Sequence, residues 1–150
     1  SVVLTVSRNT TRAPIESAGL DHVLVLAPDD NGVEGLLAAV RDRADRSPAR
    51  FTLVVPADVP YPAWGEDATA KRRACIQRVH HAVEQLQQSG VSVQGEVMDE
   101  ALVATARDAV SAYRPGEVLV VSSATPDLDA IRAVSRGATV DHAGLGATAN

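Results

Sequence analysis

The chain has 150 residues, 45% of them hydrophobic and 22% charged, with a net charge of −5. That is the size and balance of one ordinary globular domain, and the acidic balance argues against non-specific nucleic-acid binding and against attachment to an anionic membrane surface. One cysteine, Cys75, excludes an internal disulfide and the thiolate metal sites, and suits a reducing cytoplasm.

The chain opens on SVVLTV, too short for the apolar core of a signal segment and lacking its basic flank. Residues 22–28, HVLVLAP, form an apolar run closed by Pro28. Residues 51–56, FTLVVP, and 117–122, EVLVVS, are runs of the same kind. Val- and Leu-rich runs of this length, stopped by turn residues, read as strands buried on both faces. Residues 91–98, VSVQGEVM, alternate and contain Gly95, which suits an edge strand with one wetter face.

Helical spacing fills the intervals. Val33, Leu36, Leu37, Val40 and Ala44 share one helical face, with Asp30 or Asn31 as N-cap. Cys75, Ile76, Val79, Val83 and Leu86 make the buried stripe of a longer helix over 68–89, which Gly90 ends in a left-handed conformation. A third helix spans 100–113, with Asp99 as N-cap and Pro115–Gly116 as its stop, and a short fourth spans 128–134. The order β-α-β-α-β-α-β-α demands a doubly wound, mainly parallel sheet in a three-layer α/β/α sandwich.

From element order and residue texture, the segment 95–123, GEVMDEALVATARDAVSAYRPGEVLVVSS, resembles the third strand, third helix and fourth strand of the universal stress protein superfamily. HVLVLAPDDNGVEGLLAAV resembles that family's first strand and helix, and FTLVVPADVP its second strand in an actinobacterial branch. The resemblance covers residues 22–135. It implies sheet order 3-2-1-4, a cytoplasmic location, a homodimer and an adenine-nucleotide site. ATP-binding members carry Gly-x-x-Gly-(nine residues)-Gly-Ser/Thr after the fourth strand. Aligning the last glycine on Gly137 puts Ala124 and Asp127 at the other two, and Ala138 at the hydroxyl position beside Thr139. A carboxylate beside a triphosphate costs on the order of 4 kcal/mol per charge pair near 4 Å at an effective dielectric of about 20. One or two hydroxyl hydrogen bonds return only about 1 kcal/mol each. ATP is therefore not expected to bind in the family's usual way, and no cofactor is expected; ATP or another adenine nucleotide is the alternative.

Ligands of doubly wound sheets sit beyond the carboxyl ends of the strands, where strand order reverses. That places Pro28, Asp29, Asp30, Asn31, Ser122, Ser123 and Thr125 around one crevice for a small polar ligand; Val55 and Gly137 complete the candidate ligand-binding set. The bland reading of the same residues is helix capping and loop polarity. His80 and His81 point about 100° apart on a helix and do not share a metal easily; His80 reads as a packing residue, and His22 and His142 as isolated. The Lys71–Arg73 run reads as a solvated helix face, Cys75 as an inert core residue, and the aromatic loop around Tyr61 and Trp64 as a pocket wall or a lid. No catalytic or metal residue is assigned.

The expected organisation is an arm over residues 1–21, an α/β domain over 22–140 and a flexible tail over 141–150. Val2–Val6 is expected as an extra strand covering the edge of strand four, in its own subunit or in a partner of a homodimer, because the other candidate there, Ala138–Asp141, is short and poorly apolar. The function expected is a non-catalytic binding or regulatory module; the alternatives are a nucleotide-binding or nucleotide-hydrolysing switch and a purely structural homodimer.

Overall fold

The computed structural model describes residues 2–4, 21–28, 34–57, 66–123 and 125–144. Asp29, Asp30, Asn31, Ala124 and the loop holding Tyr61 and Trp64 lie outside the described residues. The described elements are β1 (Val2–Leu4), β2 (Asp21–Leu26), α1 (Glu34–Arg46), β3 (Ala49–Pro56), α2 (Glu66–Gln88), β4 (Ser92–Met98), α3 (Leu102–Tyr113), β5 (Glu117–Ser122), α4 (Leu128–Val134) and β6 (Thr139–Gly144).

The apolar runs become the interior strands because neither of their faces meets water. Val23, Leu24, Val25 and Leu26 are each 0% exposed. Burying one such side chain stabilises the fold by roughly 1.5–3 kcal/mol. The strands form one sheet in the order β1-β4-β3-β2-β5-β6. All neighbours are parallel except β1, which runs antiparallel to β4. Removing β1 leaves five parallel strands in the order 3-2-1-4-5, as expected for a doubly wound sheet.

Two cores result. Helices α1 and α2 cover one face, through Leu36, Leu37, Val40, Val79, Val83 and Leu86 against Val23, Val25, Phe51, Leu53 and Val97. Helices α3 and α4 cover the other, through Ala106, Ala109, Val110 and Ile131 against Leu24, Leu26, Val54, Val118 and Val120. Helix α2 ends where Gly90 turns left-handed, at φ +90°. Gly90 N then donates to Gln87 O and Val91 N to Leu86 O, both at 3.0 Å. These two bonds satisfy the carbonyls that the helix end would leave open.

Two edge assignments differ from expectation. β6 pairs along the whole of β5, from Glu117↔Thr139 to Ser122↔Gly144. Strand four is therefore covered by the C-terminal strand, whose few apolar side chains suffice at a sheet edge, and that strand continues past residue 140. Val2–Leu4 lies instead at the far edge, where Val2, Val3 and Leu4 pair with Val97, Glu96 and Gly95. β4 is thus an interior strand rather than an edge. Helix α3 begins at Leu102 after Ala101, with no side-chain cap; the expected cap, Asp99, holds Arg72 Nε at 3.0 Å instead.

Candidate functional site

Strand order reverses between β2 and β5. Leu26 lies opposite Val120, so the two chains leave the sheet side by side at Pro28 and Ser122. Ser122, Ser123 and Thr125 are together at this end. Ser122 is buried at 2% exposure, whereas Ser123 and Thr125 are exposed. Asp29, Asp30 and Asn31 follow Pro28 in sequence and lie outside the described residues.

His142, isolated in the sequence, is carried to this end by the parallel register of β6. Its Nε2 is 3.0 Å from Ser122 Oγ and 3.2 Å from Ser122 O. A hydrogen on Nε2 reaches the carbonyl and hydroxyl oxygens together and ties β6 to the end of β5. The pair does not make a nucleophile. Ser122 is enclosed, no carboxylate orients His142 among the described residues, and a ring nitrogen that donates to the carbonyl is not free to remove the hydroxyl proton. GxSxG is absent as well.

Asp127 has a local task. Its Oδ1 accepts from Ala130 N at 3.1 Å, which makes it the N-cap of α4. The first turn of a helix offers unpaired N–H groups and partial positive charge, the features that draw phosphates. Here a carboxylate of the chain occupies that end. Leu128–Val134 follows directly, and Ser135 closes the helix by donating from Oγ to Ile131 O at 2.6 Å.

Gly137, at φ +87°, lies just before β6 begins beside Glu117. Ser122 ends the same strand, so the two are separated by the length of β5, about 16 Å at roughly 3.3 Å per residue. Gly137 therefore does not converge with Ser122 and Thr125. Val55 does not either: its side chain is 0% exposed within the α1/α2 core. The candidate set reduces, among the described residues, to Pro28, Ser122, Ser123 and Thr125.

Other polar groups lie elsewhere. A depression of about 410 Å³ is lined by Met98, Asp99, Glu100 and Asp108, at the end of β4 rather than at the reversal point. The Glu100 carboxyl is pushed up by its hydrogen bond to Asp108, and the same bond lowers Asp108. No group of His, Cys, Asp and Glu able to hold a metal ion occurs among the described residues. His80 is exposed and meets Glu84 at 3.1 Å, contrary to the packing role expected for it. Cys75 is buried, as expected.

No protein-family model matches the sequence, and no curated protein matches it. Among solved structures, a universal stress protein family member from Burkholderia pseudomallei superimposes with a TM-score of 0.60 at 15% identity, over 82% of this chain and 96% of that one. The universal stress protein from Archaeoglobus fulgidus gives 0.54 at 10% identity, over 82% and 97%. The chain has the universal stress protein fold. The likeness rests on the five parallel strands and their four helices, which is the universal stress protein arrangement expected from residues 22–135. β1 is an additional antiparallel strand beside those five. No helix among the described residues is long and apolar enough to cross a membrane.

Proposed function

We propose that the protein is a non-catalytic binding or regulatory module of the universal stress protein type, which does not hold ATP in that family's usual way. The observation that carries this reading is Asp127. Its carboxylate caps α4 in the loop that would otherwise receive phosphate, so the helix end is already neutralised by the chain itself. The enclosed Ser122–His142 pair supports the absence of turnover. A small polar ligand would be held at the reversal point by Ser123 and Thr125. The module pairs with a second copy through the free edge of β6, the outermost parallel strand.

Isothermal titration with ATP tests the nucleotide part, and no heat of binding is expected at micromolar concentrations. A dissociation constant in the micromolar range or tighter overturns it. Native mass spectrometry of protein from its own host reads both the bound small molecule and the mass of the dimer.

A further inference from the structure

The crevice lies at the carboxyl ends of the strands. At the other end, where the parallel strands begin, three arginines are gathered on the α3/α4 side. Arg50 on β3 stands opposite His22 on β2. Gly116 N donates to His22 O at 3.0 Å, and Thr139 N donates to Gly116 O at 3.1 Å. The starts of β3, β2, β5 and β6 thus form one continuous rim, about 14 Å wide at roughly 4.8 Å per strand. Arg114 and Arg136 belong to the two loops that enter this rim at Gly116 and Thr139. Both are exposed, and Arg50 is half-buried.

No carboxylate answers these charges among the described residues. None of the three side chains has a hydrogen bond or ion pair there, whereas Arg43, Arg72, Arg107 and Arg132 each hold an acidic partner. The acids of the same rim, Asp21 and Glu117, alternate onto the opposite face of the sheet, where Arg43 takes both.

The backbone adds a second observation. Arg114 and Arg136 are the only non-glycine residues with positive φ among the described residues, at 49° and 51°. Glycine takes this conformation without steric cost, as Gly90 does at the end of α2, and a residue with a β-carbon does not. The cap of α3 needs only the backbone, since Arg114 N donates to Val110 O at 2.9 Å. A cation at a helix end complements the helix dipole. Yet α2 ends without one, and Arg50 belongs to a strand. We propose that Arg50, Arg114 and Arg136 form a docking surface for a short acidic segment of a partner protein.

Aspartate and glutamate carboxylates pair with guanidinium groups through two parallel hydrogen bonds. About five extended residues, at roughly 3.3 Å each, cross the rim and set a carboxylate near each arginine. A nucleic acid or an anionic membrane reaches past the rim and meets the rest of a chain whose net charge is −5. A short segment meets the rim alone.

Fluorescence anisotropy of the full chain with a labelled peptide of alternating Asp and Glu tests this at about 20 mM and about 150 mM salt. Binding should appear at low salt and weaken at high salt, and an Asn/Gln peptide of the same length should not bind. Arg114→Gly and Arg136→Gly preserve the backbone conformation. Each should weaken binding by up to about fivefold, the worth of an exposed ion pair, and the double variant should weaken it further. Arg73→Gln removes an exposed cation from α2, beside the Arg72 that meets Asp99 at the far end of the sheet, and should change nothing. The docking surface is overturned by absence of binding at low salt, by equal binding of the neutral peptide, or by a double variant that binds as the wild type does. It is equally overturned if Arg73→Gln weakens binding as much as the rim variants, or if an oligonucleotide of the same length binds more tightly than the peptide.

Discussion

Arg43 Nε donates to both carboxylate oxygens of Glu117, each at 3.0 Å, and so fastens the end of α1 to the first residue of β5. The guanidinium also reaches Ser47 O and Oγ, and Asp21 at 3.5 Å. Its side chain is 6% exposed, that of Glu117 17%. Removing one member of such a pair strands the other charge, at a cost of 3–5 kcal/mol for fully buried pairs. Glu117 keeps some water, so Arg43→Ala should lose about 2–3 kcal/mol, below that range. Arg43→Met with Glu117→Leu should recover most of it. Urea unfolding of the wild type, Arg43→Met, Glu117→Leu and the double variant measures the coupling.

Gly95 lies where α2 approaches β4 most closely. A Cβ there would stand 2.4 Å from Val79 Cγ1 and 2.9 Å from Val83 Cγ2, both on a packed helix. Gly95→Ala should cost about 1–3 kcal/mol, as overpacking does elsewhere. Pairing it with Val79→Ala should relieve part of that loss. Chemical denaturation checks both.

Tyr113 is expected to weaken the fold at high pH. Burial first, and the Glu96 contacts next, raise its hydroxyl above the ordinary value of 10.0. The folded state keeps the proton that the unfolded chain releases. The stability it contributes is thus complete below about pH 10 and is lost as the pH climbs from there toward the raised folded value. Stability should fall across that alkaline range in the wild type and fall less steeply in Tyr113→Phe. Thermal melts at stepped pH, with tyrosinate absorbance recorded alongside, show the difference.

Asp127 can be separated into shape and charge. Asp127→Ala should lose about 1 kcal/mol, the usual value of an N-cap, whereas Asp127→Asn, also a good cap, should lose little. Neither variant should gain ATP binding in calorimetry, because neither supplies the glycine backbone that a phosphate approaches.

Removing residues 1–4 takes away the strand that covers β4. The backbone of Gly95–Val97 would then form an open edge, the usual start of sheet-to-sheet association. The shortened protein should form larger species at concentrations where the intact chain does not, as read by size-exclusion chromatography with light scattering. An unchanged size would show that β1 shields nothing.

The parts of the fold that the sequence displayed are those that water alone decides. Val23–Leu26, Phe51–Val55 and Val118–Val121 announce interior strands because both faces are apolar, and the α1 and α2 stripes face the core as their spacing required. Edge strands gave weaker signals. β6 mixes small and polar residues and buries only Val140 fully, so it gave no clear strand pattern. The placement of Val2–Leu4 against β4 is a long-range choice that reach alone could not fix. Long-range polar pairs were equally hidden. Arg43 interrupts the apolar side of α1, which was a cue, but its carboxylate partner lies 74 residues away. His142 looked isolated until the β5–β6 register brought it to Ser122. Ser122, Ser123 and Thr125 could be placed from the end of a buried run. Gly137 stands between a helix and the strand that follows it, which in a parallel sheet is the amino end, and aligning it on the family's glycine hid that.

The pairing of Val2 with Val97 also has a temporal side. On a ribosome Val2–Leu4 is made well before its partner, Gly95–Val97. At about 5–20 residues per second, Val2–Leu4 waits on the order of 5–20 s with its backbone groups unclaimed. During that wait β2 and β3 can pair without it, so β1 is added to a sheet that already exists. Its docking can therefore come no earlier than the emergence of β4.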